Sequence, residues 1–137
     1  MVPKFRAWNM PFGPKGPMQE MVHGKASSIL AFAEMSPDEY IVEQYTGLKD
    51  VNGKDIYEGD IVTVQATNDD GSTDGMLGKI VYDEDIASFE FTTTDKDGWY
   101  TSSFDNLFEE GFFDIHVIGN IHENPELLEA QHDTRTD

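Results

Sequence analysis

Short apolar runs broken by turn residues set the character of this chain. Phe5, Arg6, Ala7 and Trp8 read as a brief strand, and the following Pro11 to Met18, with three prolines and two glycines, can only be a loop. Ala26 to Ala33 has an apolar centre bounded by Gly24 and Pro37. Its periodicity leaves strand and helix open, and the reading leans to a strand. Ser36-Pro37-Asp38-Glu39 resembles a helix start, but Tyr40-Ile41-Val42 follows at once and argues for a turn. Gln44, Tyr45 and Thr46 continue extended.

The segment from Tyr45 to Val64 is the most informative. Asn52-Gly53 favours a tight hairpin turn with two positive φ angles. Glu58-Gly59-Asp60 makes a second reversal, after which Ile61 to Val64 is too apolar to be solvated on both faces. Ala66 to Gly78 is polar and glycine-rich, and is expected as a long exposed loop. Lys79 to Tyr82 reads as a strand and Asp83 to Asp85 as a charged turn. Ser88 to Thr92 alternates strictly, with Phe89 and Phe91 on one face and Glu90 on the other. Asp95 to Gly98 closes a hairpin that Trp99, Tyr100 and Thr101 leave, before the apolar group Phe104, Leu107 and Phe108. Phe113 to Ile121 is the last strand, with Phe113, Ile115 and Val117 on one parity. Asn124 as cap, Pro125, Glu126, Leu127 and Leu128 then predict a short terminal helix. These elements predict a mainly β fold, a small barrel or sandwich.

Composition narrows the chemistry. The 137 residues suit one compact unit, or a barrel with a smaller subdomain. The absence of cysteine excludes disulfides, thiol nucleophiles and Cys-ligated metal sites. No apolar run reaches the roughly 18 residues of a membrane span, and MVPKFRAWNMPFG lacks the apolar core of a secretory signal. A cytoplasmic location is expected, with no membrane partner. The net charge of −18 is uneven: Lys4, Arg6, Lys15 and Lys25 against Glu20 give residues 1–25 a charge of +3, so the remaining 112 carry −21. Such a body disfavours direct nucleic-acid binding, which needs a basic surface to displace phosphate counterions.

Four blocks, FRAW (Phe5 to Trp8), QYTGLKDVNGKDIYEGDIV (Gln44 to Val62), GKIVYD (Gly78 to Asp83) and IHVIGNIHENPELLE (Ile115 to Glu129), resemble in order the pattern of the YopX family, small proteins of phages and prophages. The resemblance implies an SH3-like β-barrel beginning near the EGDIV turn, an N-terminal α+β or β portion packed beside it, and self-association. It implies no known reaction and carries over no catalytic residue. On this basis residues 1–44 form the N-terminal portion with its Pro/Gly-rich loop, 45–129 the barrel with a short C-terminal helix, and 130–137 a disordered tail. The Pro11 to Pro17 loop and the Asn68 to Gly75 loop depart from the family pattern.

Candidate chemistry is sparse. His122-Glu123 suggests a zinc helix, but the second ligand position holds Glu126 and Pro125 interrupts the helix. His116 and His122 share strand parity without further ligands. Asp69 to Asp74 offers oxygen ligands for calcium but lacks the ordered acid spacing of a helix–loop–helix calcium site. Glu58 and Asp60 suit turn formation better than acid–base work. No catalytic, metal or cofactor residue is assigned, and no cofactor is expected.

Sixteen aromatics exceed what a small core holds. Phe89, Phe91, Trp99, Phe113 and Tyr82 are expected to fill the barrel, while Trp8, Tyr45, Tyr57, Phe108 and Phe112 are candidates for a partner or self-interface. The expected role is that of a non-enzymatic phage accessory protein that binds protein, including itself, as a homo-oligomer. The alternatives are an acidic DNA-mimic decoy for a DNA-binding protein, and a metal-assisted hydrolase using Asp69 to Asp74 or the two histidines.

Overall fold

A computed structural model describes residues 4–67, 69–95, 98–103 and 113–128. The chain is mainly β and divides into two units, Met1–Gly47 and Leu48–Asp137. The division falls within a strand.

In the first unit, β1 (Phe5–Asn9) lies antiparallel between β2 (Glu20–Gly24) and β3 (Tyr40–Lys49). As the middle strand it carries the buried side chains Arg6, Ala7 and Trp8. Arg6 stands opposite Glu43 in the β1–β3 register, and its Nε donates to Glu43 Oε1 at 2.9 Å. Both side chains are almost wholly buried. A one-residue slip would place the two charges on opposite faces, so the pair fixes the register.

The expected strand at Ala26 to Ala33 is instead part of helix α1 (Ala26–Met35). Ala26, Leu30, Ala31 and Ala33 are strong helix formers, and the segment buries Ile29 rather than alternate residues. Ile29 N–H donates to Lys25 O at 3.0 Å, and Ser36 N–H closes on Phe32 O at 3.0 Å before Pro37. Residues 37–39 form the expected turn. Tyr40 then stacks on Phe32, with ring centroids 6.1 Å apart.

The second unit is built on a five-stranded antiparallel sheet, half-barrel-like, in the order β8-β7-β6-β5-β9. Its strands are β5 (Asp60–Thr67), β6 (Thr73–Asp83), β7 (Ser88–Asp95), β8 (Gly98–Ser103) and β9 (Phe113–Asn120). Leu48 and Lys49, the last residues of β3, form a hairpin with β4 (Asp55–Tyr57), where Lys49 Nζ meets Asp55 Oδ1 at 3.1 Å. The core is Ile56, Val62, Val64, Ile80, Phe91 and Ile115, with Leu48, Phe89, Phe113 and Val117 packed around it. The alternation in β7 and β9 thus faces the core as the pattern predicted.

Two expectations change here. Ala66 to Gly78 is largely strand, because β5 supplies a register partner as far as Thr67↔Thr73 and confines the turn to the residues between. One of its glycines, which together suggested a loop, has a packing use. Gly78 sits opposite Val62 where the Phe91 ring lies: a Cβ at 78 would come to 2.8 Å of that ring and 2.4 Å of Thr92 O. Beside it, the Thr93 hydroxyl donates to Leu77 O.

At the other end, Asn124 does not cap with its side chain. Its Oδ1 accepts from Asn120 N–H at 3.3 Å, occupying space that a Cβ on Gly119 would fill, while its carbonyl accepts from Leu127 N–H at 3.1 Å. A helical turn follows at residues 126–128. Phe104, Leu107, Phe108, Phe112 and residues 130–137 lie outside the described residues.

Gly78→Ala should overpack the core and lower stability by about 1–3 kcal/mol, read as a lower urea midpoint at unchanged m-value. Gly75→Ala is the control: its Cβ would meet only ordinary contact, Gln65 Cγ at 3.5 Å, and the change should stay within about 0.5 kcal/mol.

Candidate functional site

A dense constellation of charged and main-chain groups lies at the DVNGK turn. Asp50, 8% exposed, follows β3. Its Oδ1 accepts from the N–H groups of Asn52 and Lys54, both at 2.9 Å, and its Oδ2 accepts from Val117 N–H on β9 at 3.0 Å. Val51 N–H donates to Ile115 O at 3.0 Å. Ile115 and Val117 share a parity, so both turn these backbone groups away from β5 and towards the turn. A second turn extends the contact: Ile121 N–H donates to Gly59 O at 2.9 Å, and Gly59 N–H donates to Ile80 O at 2.8 Å. The segment from Asp50 to Gly59 therefore covers the outer edge of β9, which would otherwise be an open pairing edge.

The turn geometry differs from the tight two-residue form expected. Gly53 has φ +82°, but Asn52 is not in the positive region. Gly53 N–H closes on Asp50 O at 3.0 Å and Asp50 N–H on Lys54 O at 2.8 Å, a wider loop shaped by the Asp50 carboxylate. Desolvation acts to raise the Asp50 pKa, but the amides of Val117, Lys54 and Asn52, with the charge of His116, outweigh it and hold the carboxyl below its usual range.

Asp60, 2% exposed, accepts from Tyr57 N–H at 2.8 Å through Oδ2, so this carboxylate is committed to the second turn, where Gly59 has φ +86°. Sequence reasoning assigned that turn. It missed the Asp50 staple, although the signal was present: an aspartate two residues before Asn-Gly is a natural acceptor for the turn's amides.

The aromatic candidates separate. Trp8, Tyr45 and Tyr57 are 7%, 6% and 7% exposed, so they lie in the interior and offer no open surface. Trp8 also anchors a loop, since its Nε1 donates to Gln19 Oε1 at 2.9 Å. Gln19 Nε2 in turn donates to the carbonyls of Pro14 and Gly16, each at 3.0 Å, and to Gly13 at 3.4 Å. The Pro/Gly-rich segment is therefore folded around one glutamine, a role that nothing in the sequence announced. Lys4 Nζ sits 5.0 Å from the Tyr45 ring centroid. Phe108 and Phe112 lie outside the described residues. Exposed aromatic rings in the described part are Phe12, at 64%, and Phe32, at 43%.

The polar candidates resolve into turns. His122 and Glu123 donate their N–H groups to Asn120 Oδ1 at 3.0 and 2.9 Å. Asp70 Oδ1 accepts from Ser72 hydroxyl and N–H, and these bonds lower its pKa. Among the described residues no group of three or more His, Asp or Glu is arranged to hold a metal.

Asp83, Glu84, Asp85 and Glu90, with Val81 and Thr92, line an open concavity of about 430 Å³ at the β6–β7 turn. Partial desolvation, the charge of Asp83 and a hydrogen bond with Asp83 raise the Glu90 pKa. That arrangement suits a cationic group, but among the described residues no nucleophile or general base with an orienting partner stands in it.

The sequence profile of the YopX protein matches residues 15–129, leaving the FRAW strand outside the matched span. The crystal structure of protein EF1440 from Enterococcus faecalis is similar to this chain at 24% identity, covering 93% of this chain and 99% of that one, with a TM-score of 0.44. No curated protein matches the chain significantly. No helix among the described residues is long and apolar enough to cross a membrane.

Asp50→Asn should cost about 1–3 kcal/mol by weakening three amide bonds at a buried site, with early loss of hydrogen-exchange protection at Val51 and Val117. The pH dependence has a definite sign. The folded pKa lies below the unfolded one, so the stabilisation is complete above the ordinary aspartate value of 3.8 and drains as pH falls through the folded value. Urea midpoints should therefore fall more steeply below that pH in the native protein than in Asp50→Asn.

Proposed function

The chain belongs to the YopX family, and we propose that it works as a non-enzymatic accessory protein of phages or prophages. In this reading the second unit is an SH3-like frame and the first carries a face that docks a second copy of the chain. The partition of charge and apolar surface carries the reading. Six of the ten exposed large apolar side chains among the described residues, Phe12, Met18, Leu30, Phe32, Met35 and Ile41, lie in the first unit. Lys4, Arg6, Lys15 and Lys25 against Glu20, Glu34, Asp38, Glu39 and Glu43 leave that unit at −1, so the second carries −17.

Two copies meeting through their second units would repel, whereas the near-neutral unit offers apolar contact without that penalty. On α1 only Ile29 is buried, and Met35 at its end is 81% exposed. The Asp83 to Glu90 concavity supports a second reading, a docking point for a basic DNA-binding protein deceived by clustered carboxylates. Salt separates the two. Screening weakens a decoy complex but relieves repulsion between like-charged bodies.

Light scattering should find an oligomer whose mass is kept or raised from low to high salt. Met35→Glu should weaken association by at least about tenfold, the weight of one lost apolar anchor, with an unchanged circular dichroism spectrum. A monomer at every salt and concentration would refute the self-docking reading.

A further inference from the structure

We propose that Asn52 is a site of spontaneous deamidation gated by the Asp50 staple, and that its conversion releases the edge of β9. Asn52 and Gly53 are both exposed at the tip of the turn, within reach of solvent water. The chemistry needs nothing else. The Gly53 backbone nitrogen attacks Asn52 Cγ, a C–N bond forms, the nitrogen's proton passes to the leaving amide, and ammonia departs, leaving a five-membered imide. Water then opens the ring. Cleavage at the side-chain carbonyl gives aspartate, and cleavage at the main-chain carbonyl gives isoaspartate, whose backbone is longer by one carbon. Glycine at position 53 places no side chain in the way of the attack, and a Cβ there would meet open space rather than a shielding neighbour.

In the folded protein the attacking nitrogen is occupied, because Gly53 N–H donates to Asp50 O at 3.0 Å. The neighbouring amides of Asn52 and Lys54 are held by Asp50 Oδ1, which fixes the loop in the closed form. Reaction therefore proceeds through openings of the turn, and its rate reports how often the staple is broken. The products act back on the staple. The isoaspartyl form displaces Asn52 N–H relative to Asp50 Oδ1, and either acid places a second negative charge two residues from the buried Asp50 carboxylate. Both weaken the grip of Asp50 on Val117 and of Val51 on Ile115.

The test ages the full chain at neutral pH and follows the amide-to-acid mass change at Asn52 by peptide mapping, with the isoaspartyl product separated chromatographically. Native protein, Asp50→Asn and native protein held in urea are compared. Conversion should be slowest in the native protein, about tenfold faster in Asp50→Asn, the weight of one broken charge-assisted hydrogen bond, and fastest in urea. Equal rates in all three samples, or no conversion in urea, would overturn the proposal. A second readout needs no variant: in aged native protein the deamidated fraction should lose hydrogen-exchange protection at Val51 and Val117. Retention of full protection in that fraction would remove the claim that the edge is released.

Discussion

One carboxylate holds the second unit closed. Asp50 binds three amides, two in its own turn and one on β9, so a single side chain joins residues 67 positions apart in the sequence. A charged acceptor is the group suited to such a junction. Backbone N–H groups at a sheet edge that lose water need partners, and a carboxylate offers more acceptor sites than any neutral side chain. Burial would drive the proton back on were the amides fewer, so the low pKa and the closed edge are one fact seen twice.

This constraint explains why two segments far apart in the sequence belong together. The block from Gln44 to Val62 supplies Asp50, Val51 and Gly59, and the block from Ile115 to Glu129 supplies the main-chain groups at Ile115, Val117 and Ile121 that they meet. Residue identity there answers to turn geometry and edge closure. A motif of this kind identifies a fold without naming an activity. The exposed side chains of α1 and the carboxylates near Glu90 lie outside those two blocks.

Much of the second unit was legible in the sequence. The alternation of Phe89 and Phe91 and of Phe113, Ile115 and Val117 faces the core because period-2 patterning survives wherever one face of a sheet is buried. The failures have a common origin in information held by partners distant in sequence. Ala26 to Ala33 is too short for periodicity to decide, and helix propensity settled it. Gly75 and Gly78 looked like loop residues because their strand partner and the Phe91 ring cannot be seen locally. Trp8, Tyr45 and Tyr57 looked superfluous to a single core, yet all three are buried. Gln19 gave no sign at all, since its partners are main-chain carbonyls of an irregular loop.

The Arg6–Glu43 pair bears on how the first unit assembles. β1 pairs with β2 from nearby in sequence, but the carboxylate that Arg6 needs arrives only with β3, 37 residues away. A β1–β2 hairpin packed alone would lack the Glu43 carboxylate, so burying the guanidinium there would forgo this ion pair. The paired, buried form of the guanidinium thus depends on a contact 37 residues away, so the interior of this sheet is closed by a long-range partner rather than by its neighbour in the hairpin.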